Sequence, residues 1–423
     1  MSLTMNYCYR IYPSAIQEQQ LLEWLEVSRL LYNQGLGEIK DWINSRKCRV
    51  NCCSLQSEYI IPADIPFPNY YDQQNALPKA KEVFPRLKQA PSQVLQTTLR
   101  RLHNAWDFFK TRGFGFPRFK KYGQLKSLLF PQFKSNPITG WQIKLPKLGK
   151  VPINLHRPIP DGFVVKQVRV LRKADRWEAV IAISSDISIP EVKPHGKAIG
   201  IDLGLSCFLA TSESELICRP RFLVSLHRQL KLLQRKYART NKGSKNRERV
   251  RLKLARFHNH IANTRKDYHY KLANHLCSTE GVGMVFVEDL NVLAMSRGML
   301  RKHTLDAAFG QFLNILEWVA SKHQVYCGRV DPNGTSQTCP KCGTHTGKKG
   351  LSERVHQCNG CGYRTDRDHA AAQVIRWRGL EQVSTQGLCG IENAYAVGLP
   401  GVGETRSRSE AKSRKRKTRN AQS

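Results

Sequence analysis

The sequence is short of acid. Its 423 residues carry 33 Asp and Glu against 68 Lys and Arg, a formal charge of +35 and an isoelectric point near 10.0. That excess is larger than ordinary solubility needs. It implies a polyanionic partner, nucleic acid first of all, whose phosphates would neutralise the field and release counterions. A membrane-surface protein is the rival, but no apolar run approaches the ~18 residues of a spanning helix. The opening MSLTMNYCYRIYPS has neither a basic n-region nor an apolar h-region, so no secretory signal is expected. Internal repeats are also lacking. A disulfide framework is not indicated, because the 13 cysteines are odd in number and nine are scattered (Cys8, Cys48, Cys52, Cys53, Cys207, Cys218, Cys277, Cys327, Cys389). That usage suits a reducing cytosol. The length allows two to three domains, each with its own core.

The other four cysteines form a pattern. Cys339-x-x-Cys342 and Cys358-x-x-Cys361 stand fifteen residues apart, the ribbon spacing of a four-thiolate zinc site. Gly343 and Gly362 follow each pair, where a tight knuckle needs positive φ. A pair of redox dithiols is the competing reading; the doubled spacing with glycine, in a polar Lys-rich stretch, favours zinc. Cys48, Cys52 and Cys53 have no partner pair, which leaves little support for a second metal site.

Taken in order, MNYCYRIY (5–12) reads as a strand stopped by Pro13. Ser14 can cap a helix whose apolar face is Leu21, Leu22, Trp24, Leu25 and Leu31, reaching about Asn44. Ser92 is expected to cap a second helix, with Leu95, Leu99, Leu102, Trp106 and Phe109 on one stripe. In GFGFPRFKKYGQLKSLLFPQFKS (113–135) aromatics interleave with bases, which suits base stacking and phosphate contact; a strand pair with core aromatics is the alternative. Short alternating segments over 136–190 read as a β-barrel or sandwich. EVKPHGK (191–197) reads as a linker and AIGIDLGLSCFLATS (198–212) as two strands. Residues 222–280 form a basic helical hairpin, with Leu226, Leu230, Leu233 and Tyr237 before the turn TNKGSKN and Val250, Leu254, Phe257 and Ile261 after it. GMVFVEDLNV (283–292) is a strand, Leu305–Lys322 one helix, VYCGRV (325–330) a strand, and a last helix runs from Asp368 to about Leu380. The basic run 406–419 reads as a disordered tail.

Three acids stand where chemistry could use them. Asp202 ends a buried strand between Gly200 and Gly204, Glu288 ends another, and Asp368 opens a helix. Carboxylates at the ends of apolar strands are costly unless solvated, paired or metal-bound. Convergence of the three would bind Mg²⁺, and two ions ~4 Å apart can drive phosphodiester cleavage. Taken singly, Asp202 could be a turn former, Glu288 a strand-end acid, and Asp368 or Asp366 a helix cap.

GIDLG (200–204), FVEDLNV (286–292), TSQTCPKCG (335–343) and CNGCGYRTDRDHAAA (358–372) resemble, in order and spacing, the signature of the TnpB family. Its members are transposon-encoded RNA-guided DNA nucleases related to miniature type V CRISPR effectors. YRIYPS and LYNQGL (31–36) resemble the family's opening, so the likeness spans most of 5–380. It implies a RuvC-like ribonuclease H fold (191–330 and 365–380) with an inserted zinc ribbon (331–364). Before it would stand a wedge β-barrel (1–13 and 114–190) interrupted by a helical recognition insert (14–113); residues 381–423 would be the tail. The implied function is RNA-guided, Mg²⁺-dependent cleavage of double-stranded DNA beside a short flanking motif. Asp202, Glu288 and Asp368 would hold two Mg²⁺ ions, and Cys339, Cys342, Cys358 and Cys361 a structural Zn²⁺. The partners implied are a guide RNA and target DNA, without a membrane. The protein would be a monomer in the RNA complex, cytoplasmic and nucleoid-associated. A non-catalytic RNA-guided repressor and a strand-joining transposase are the alternatives. One position departs: where the family often has Asn, two residues after the last acid, this chain has Ala370.

Overall fold

The computed structural model describes residues 3–47, 61–62, 64–113, 115–187, 191–350 and 353–385. Cys48, Cys52, Cys53 and the basic run 406–419 lie outside them. The chain divides into two units, Met1–Pro190 and Glu191–Ser423.

In the first unit, β1 (Leu3–Ile11) ends before Pro13, and Ser14 caps α1 (Ala15–Lys47). The cap is reciprocal: the Gln17 N–H donates to Ser14 Oγ (3.3 Å) and the Ser14 N–H to Gln17 Oε1 (3.0 Å). The helices α2 (Tyr70–Asn75) and α3 (Leu77–Val83) lead to α4 (Ser92–Arg112). Ser92 does not cap α4. Pro91 holds the extended cap position, while Ser92 is already helical and its hydroxyl accepts from Lys81 Nζ (2.8 Å). The expected stripe of α4 is buried at Leu95, Leu99, Leu102 and Trp106.

The chain then returns to the sheet. β2 (Ser127–Phe130), β3 (Ile138–Thr139), β4 (Gln142–Leu145), β5 (Gly149–Asn154), β6 (Val164–Arg172) and β7 (Trp177–Ser185) join β1 in the antiparallel order β2-β6-β7-β1-β5-β4-β3. The expected barrel is therefore an open, curled half-barrel, because the short edge strands β2 and β3 do not pair with each other. Helix covers the apolar face instead. Leu21, Trp24 and Leu25 of α1 and Val94, Leu95 and Leu99 of α4 share one core with Phe130, Val151, Val168 and Ile181. Farther along, the same two helices pack on each other through Tyr32, Leu36, Ile39, Leu102 and Trp106.

The second unit opens with β8 (Lys197–Leu203), β9 (Cys207–Thr211) and β10 (Leu216–Cys218), followed by the hairpin of α5 (Phe222–Arg239) and α6 (Lys245–Ser278). After β11 (Val282–Glu288) come α7 (Val292–Met295), α8 (Arg301–Ala307), α9 (Phe309–Lys322) and β12 (Tyr326–Val330). The single helix expected over Leu305–Lys322 is broken at Ala308, whose φ is +53°. Beyond the break, Phe309 and Phe312 are fully buried in the core. A two-stranded ribbon, β13 (Val355–Gln357) and β14 (Arg364–Asp366), runs directly into α10 (Arg367–Thr385). The main sheet has the order β10-β9-β8-β11-β12, with β11 parallel to both β8 and β12. No helix among the described residues is long and apolar enough to cross a membrane.

Side chains alternate across this sheet. Ile199, Ile201, Leu203, Val285 and Val287 enter the core formed with α6 and α9. Ala198, Met284 and Phe286 face the other way, packing with Ile375 and Val383 of α10. Two glycines permit the close approach of α10. A Cβ on Gly200 would lie 2.1 Å from the Ala372 carbonyl oxygen and 2.5 Å from the Arg376 nitrogen. One on Gly379 would lie 2.2 Å from the Phe286 ring. Gly200→Ala should force α10 off the sheet and cost about 3 kcal/mol, read by denaturant unfolding of the second unit; an unchanged midpoint would contradict this packing.

Candidate active site and metal centre

The alternation that places Phe286 against α10 also places Glu288 on that face, two residues on. Asp202 follows Gly200 by the same step. The register pairs Ile201 with Val287, so Asp202 and Glu288 end neighbouring strands side by side. Asp368 lies in the first turn of α10, which is seated on the same face. All three carboxylates line one cleft of about 260 Å³, with Pro332, Thr335, Ser336, Arg367 and Ala371.

Crowding shows in their proton affinities. Burial, with the charges of Glu288 and Asp368, holds the Asp202 carboxyl well above the ordinary carboxylate range. Burial raises Glu288 too, opposed by a hydrogen bond from Thr335 and the charge of Arg378. Asp368 is raised by burial and by Asp366, against the pull of Arg354 and Arg367. Asp366 has a different position. Its Oδ1 accepts the backbone N–H groups of Asp368 (2.9 Å) and His369 (3.3 Å), so it caps α10.

Other side chains hold the cleft in shape. Thr335 Oγ1 donates to Glu288 Oε1 at 2.5 Å. Arg378 Nη1 donates to the carbonyls of Asp331 (2.9 Å) and Asn333 (2.7 Å), tying the loop before Thr335 to α10. His369 Nδ1 meets the Thr211 carbonyl (2.9 Å), and its Nε2 lies 3.2 Å from Ser214 Oγ and 2.9 Å from Gln373 Nε2. The neutral Nδ1–H tautomer satisfies all three contacts. Sequence reasoning assigned no role to Thr335, Arg378 or His369; the only signal was the position of Thr335 within TSQTC. Ala370 is buried rather than on the cleft wall, with 2% exposure.

The four cysteines come together independently of this cleft. Their sulfurs all lie within 4.8 Å of one another, the only such group of His, Cys, Asp or Glu among the described residues. Cys339 and Cys361 sulfurs are 3.7 Å apart, and those of Cys342 and Cys358 are 3.5 Å apart. A tetrahedral ion with Zn–S bonds of ~2.3 Å would set its sulfurs ~3.8 Å apart, so the donor set fits zinc. The two knuckles share one backbone pattern. Gly343 (φ +72°) and Gly362 (φ +71°) return their N–H groups to the carbonyls of Cys339 and Cys358, each at 2.9 Å. None of the other described cysteines is in a disulfide.

Family models match three stretches: "Helix-turn-helix domain" over residues 1–48, "Probable transposase" over 170–299, and "Cas12f1-like, TNB domain" over 309–375. Within the first of these, the described residues form one strand and one helix. A Streptomyces pristinaespiralis protein named "Putative RNA-guided DNA endonuclease" is 30% identical over 88% of this chain and 88% of its own. An Escherichia coli K12 protein of the same name, InsQ, is 31% identical over 68% of this chain and 75% of its own. "TnpB-like protein L770" of Acanthamoeba polyphaga mimivirus is 21% identical over 88% of this chain and 72% of its own.

A carboxyl with a raised pKa binds its proton more tightly folded than unfolded. Its contribution to stability is therefore present below the unfolded value and is lost as pH rises through the folded one. Asp202→Asn should thus raise the melting temperature of the metal-free protein at neutral pH, on the order of a few °C. The gain over the parent should shrink as pH falls into the carboxylate range. A variant that melts lower than the parent at neutral pH would show that Asp202 is not crowded.

Proposed function

From the TnpB family, to which this chain belongs, we propose an RNA-guided, Mg²⁺-dependent endonuclease that cuts double-stranded DNA beside a short flanking motif. The observation that carries this reading is the single cleft shared by Asp202, Glu288 and Asp368, on a chain of charge +35. The three carboxylates offer hard oxygen ligands suited to a pair of Mg²⁺ ions. When bound, such ions supply an activated water and charge stabilisation at the leaving oxygen. Thr335 fixes the orientation of Glu288, and Arg367 presents a cation at the cleft wall, where a phosphate would carry negative charge.

Base pairing with a guide RNA would supply most of the sequence specificity, the protein reading duplex shape and the flanking motif. On this reading the half-barrel, residues 1–13 with 114–190, is the wedge, and 14–113 the recognition insert. Residues 191–330 and 365–380 form a RuvC-like nuclease, supported by the mixed sheet with acids at the ends of adjacent strands. Residues 331–364 are the zinc ribbon, and the protein is a monomer in its RNA complex.

The test is cleavage by the protein purified with its co-expressed RNA. Asp202→Asn should keep target binding while cleavage falls about 10²–10³-fold. Parent-level cutting by the variant would sink the site, and strand-transfer products from the parent would favour a transposase. Cys361→Ser should lower both the melting temperature and cleavage, the latter roughly tenfold or more, although no sulfur faces the carboxylate cleft. Full activity after zinc is stripped would disprove that coupling.

A further inference from the structure

Several arginines of this chain meet carboxylates. Arg29 pairs with Glu26 (2.6 Å), Arg176 with Glu178 (2.8 Å), and Arg329 with Glu317 (2.6 Å) and Asp289 (3.0 Å). A cavity of about 350 Å³ lies between α4 and the β2–β6 edge of the half-barrel, lined among others by Arg100, Arg101, Asn104, Phe108, Ser127 and Arg169. None of its lining residues is acidic. Arg101 is half-buried there, and its Nη2 donates to the Ser127 hydroxyl at 2.7 Å. Burial, and then the charge of Arg169, draw the Arg101 guanidinium below its ordinary pKa. Arg169 stands on β6 opposite Leu129 of β2. At the rim the Arg100 guanidinium sits 4.7 Å over the Tyr70 ring.

A half-buried guanidinium with a second, exposed one beside it and no acid in the same cavity favours an anion that joins the two. The rigid fork of arginine suits phosphate oxygens, which it can grip bidentately. The cavity holds more than one phosphate group. It also borders Phe108, which is 42% exposed.

We propose that this cleft, with Arg101 and Arg169 as its paired donors, grips a backbone phosphate of a bound nucleic-acid strand. The proposal rests on the nucleic-acid reading above and adds a site remote in sequence from the three acids. Its chemistry is common to guide RNA and target DNA, so the experiment has an arm for each.

Binding of the guide RNA to the full chain, and of target duplex to the RNA complex, is measured across a salt series. The parent is compared with Arg169→Gln, whose exposed position spares the core, and with Arg101→Gln; melting temperatures verify folding. Each variant should reduce the log Kd–log[salt] slope by about one for the strand that occupies the cleft. Arg169→Lys should keep the slope but bind more weakly, having lost the fork. A change confined to the RNA arm assigns the site to the guide, and one confined to the DNA arm assigns it to the target. A parent that binds neither ligand refutes the nucleic-acid reading itself. A parent that binds both, with slopes unaltered in both Gln variants, refutes this site alone. Stabilisation of the parent by inorganic pyrophosphate, with both slopes unaltered in the variants, makes the cleft a free-anion site and overturns the assignment.

Discussion

Three carboxylates held in one cleft repel one another, and the second unit is built to hold them there. Sheet parity turns Asp202 and Glu288 to the same side, and the parallel register sets them level. The third acid comes on a helix that must lie almost backbone to backbone on the sheet. Gly200 and Gly379 make that approach possible. A tightly packed helix cannot rotate away to relieve the repulsion, so Asp202 bears the charges of Glu288 and Asp368 on top of its burial, while Glu288 and Asp368 are raised first by burial itself. A bound cation would relieve it, which is why an arrangement poor for stability alone is suited to binding metal.

How much could be read in advance depended on whether the determinants were local. The two knuckles are encoded within five residues each, and their glycines adopt the φ that the turn demands. Asp202 and Glu288 stood out because a charge at the end of an apolar strand is conspicuous in any register. In the sequence only the family pattern favours Asp368 over Asp366, since both stand where a helix opens; in the structure Asp366 accepts the capping bonds of that helix. Thr335 was hidden because its partner Glu288 lies 47 positions away. The break falls at Ala308, a residue type that does not mark a left-handed backbone in the sequence. The open edge of the half-barrel follows from which strands pair, which periodicity within a strand does not record.

The first unit handles charge differently from the second. Its sheet is completed by α1 and α4, which share its apolar core for half their length and then leave it to form a small core of their own. Arg101 of α4 and Arg169 of β6 line one cavity there, with no acid among its lining residues. One unit thus concentrates acids in a cleft and the other lines a cavity with bases.

The position of α10 in the chain has a consequence for biosynthesis. Domains generally fold from the N-terminal side as the polypeptide emerges, and the third acid belongs to an element spanning Arg367–Thr385. A nascent chain that has not yet extruded this helix carries the bases of the first unit and only two of the three acids. The cleft is completed in the same late interval in which the ribbon closes, so a ribosome stalled earlier would leave a product lacking the full carboxylate set.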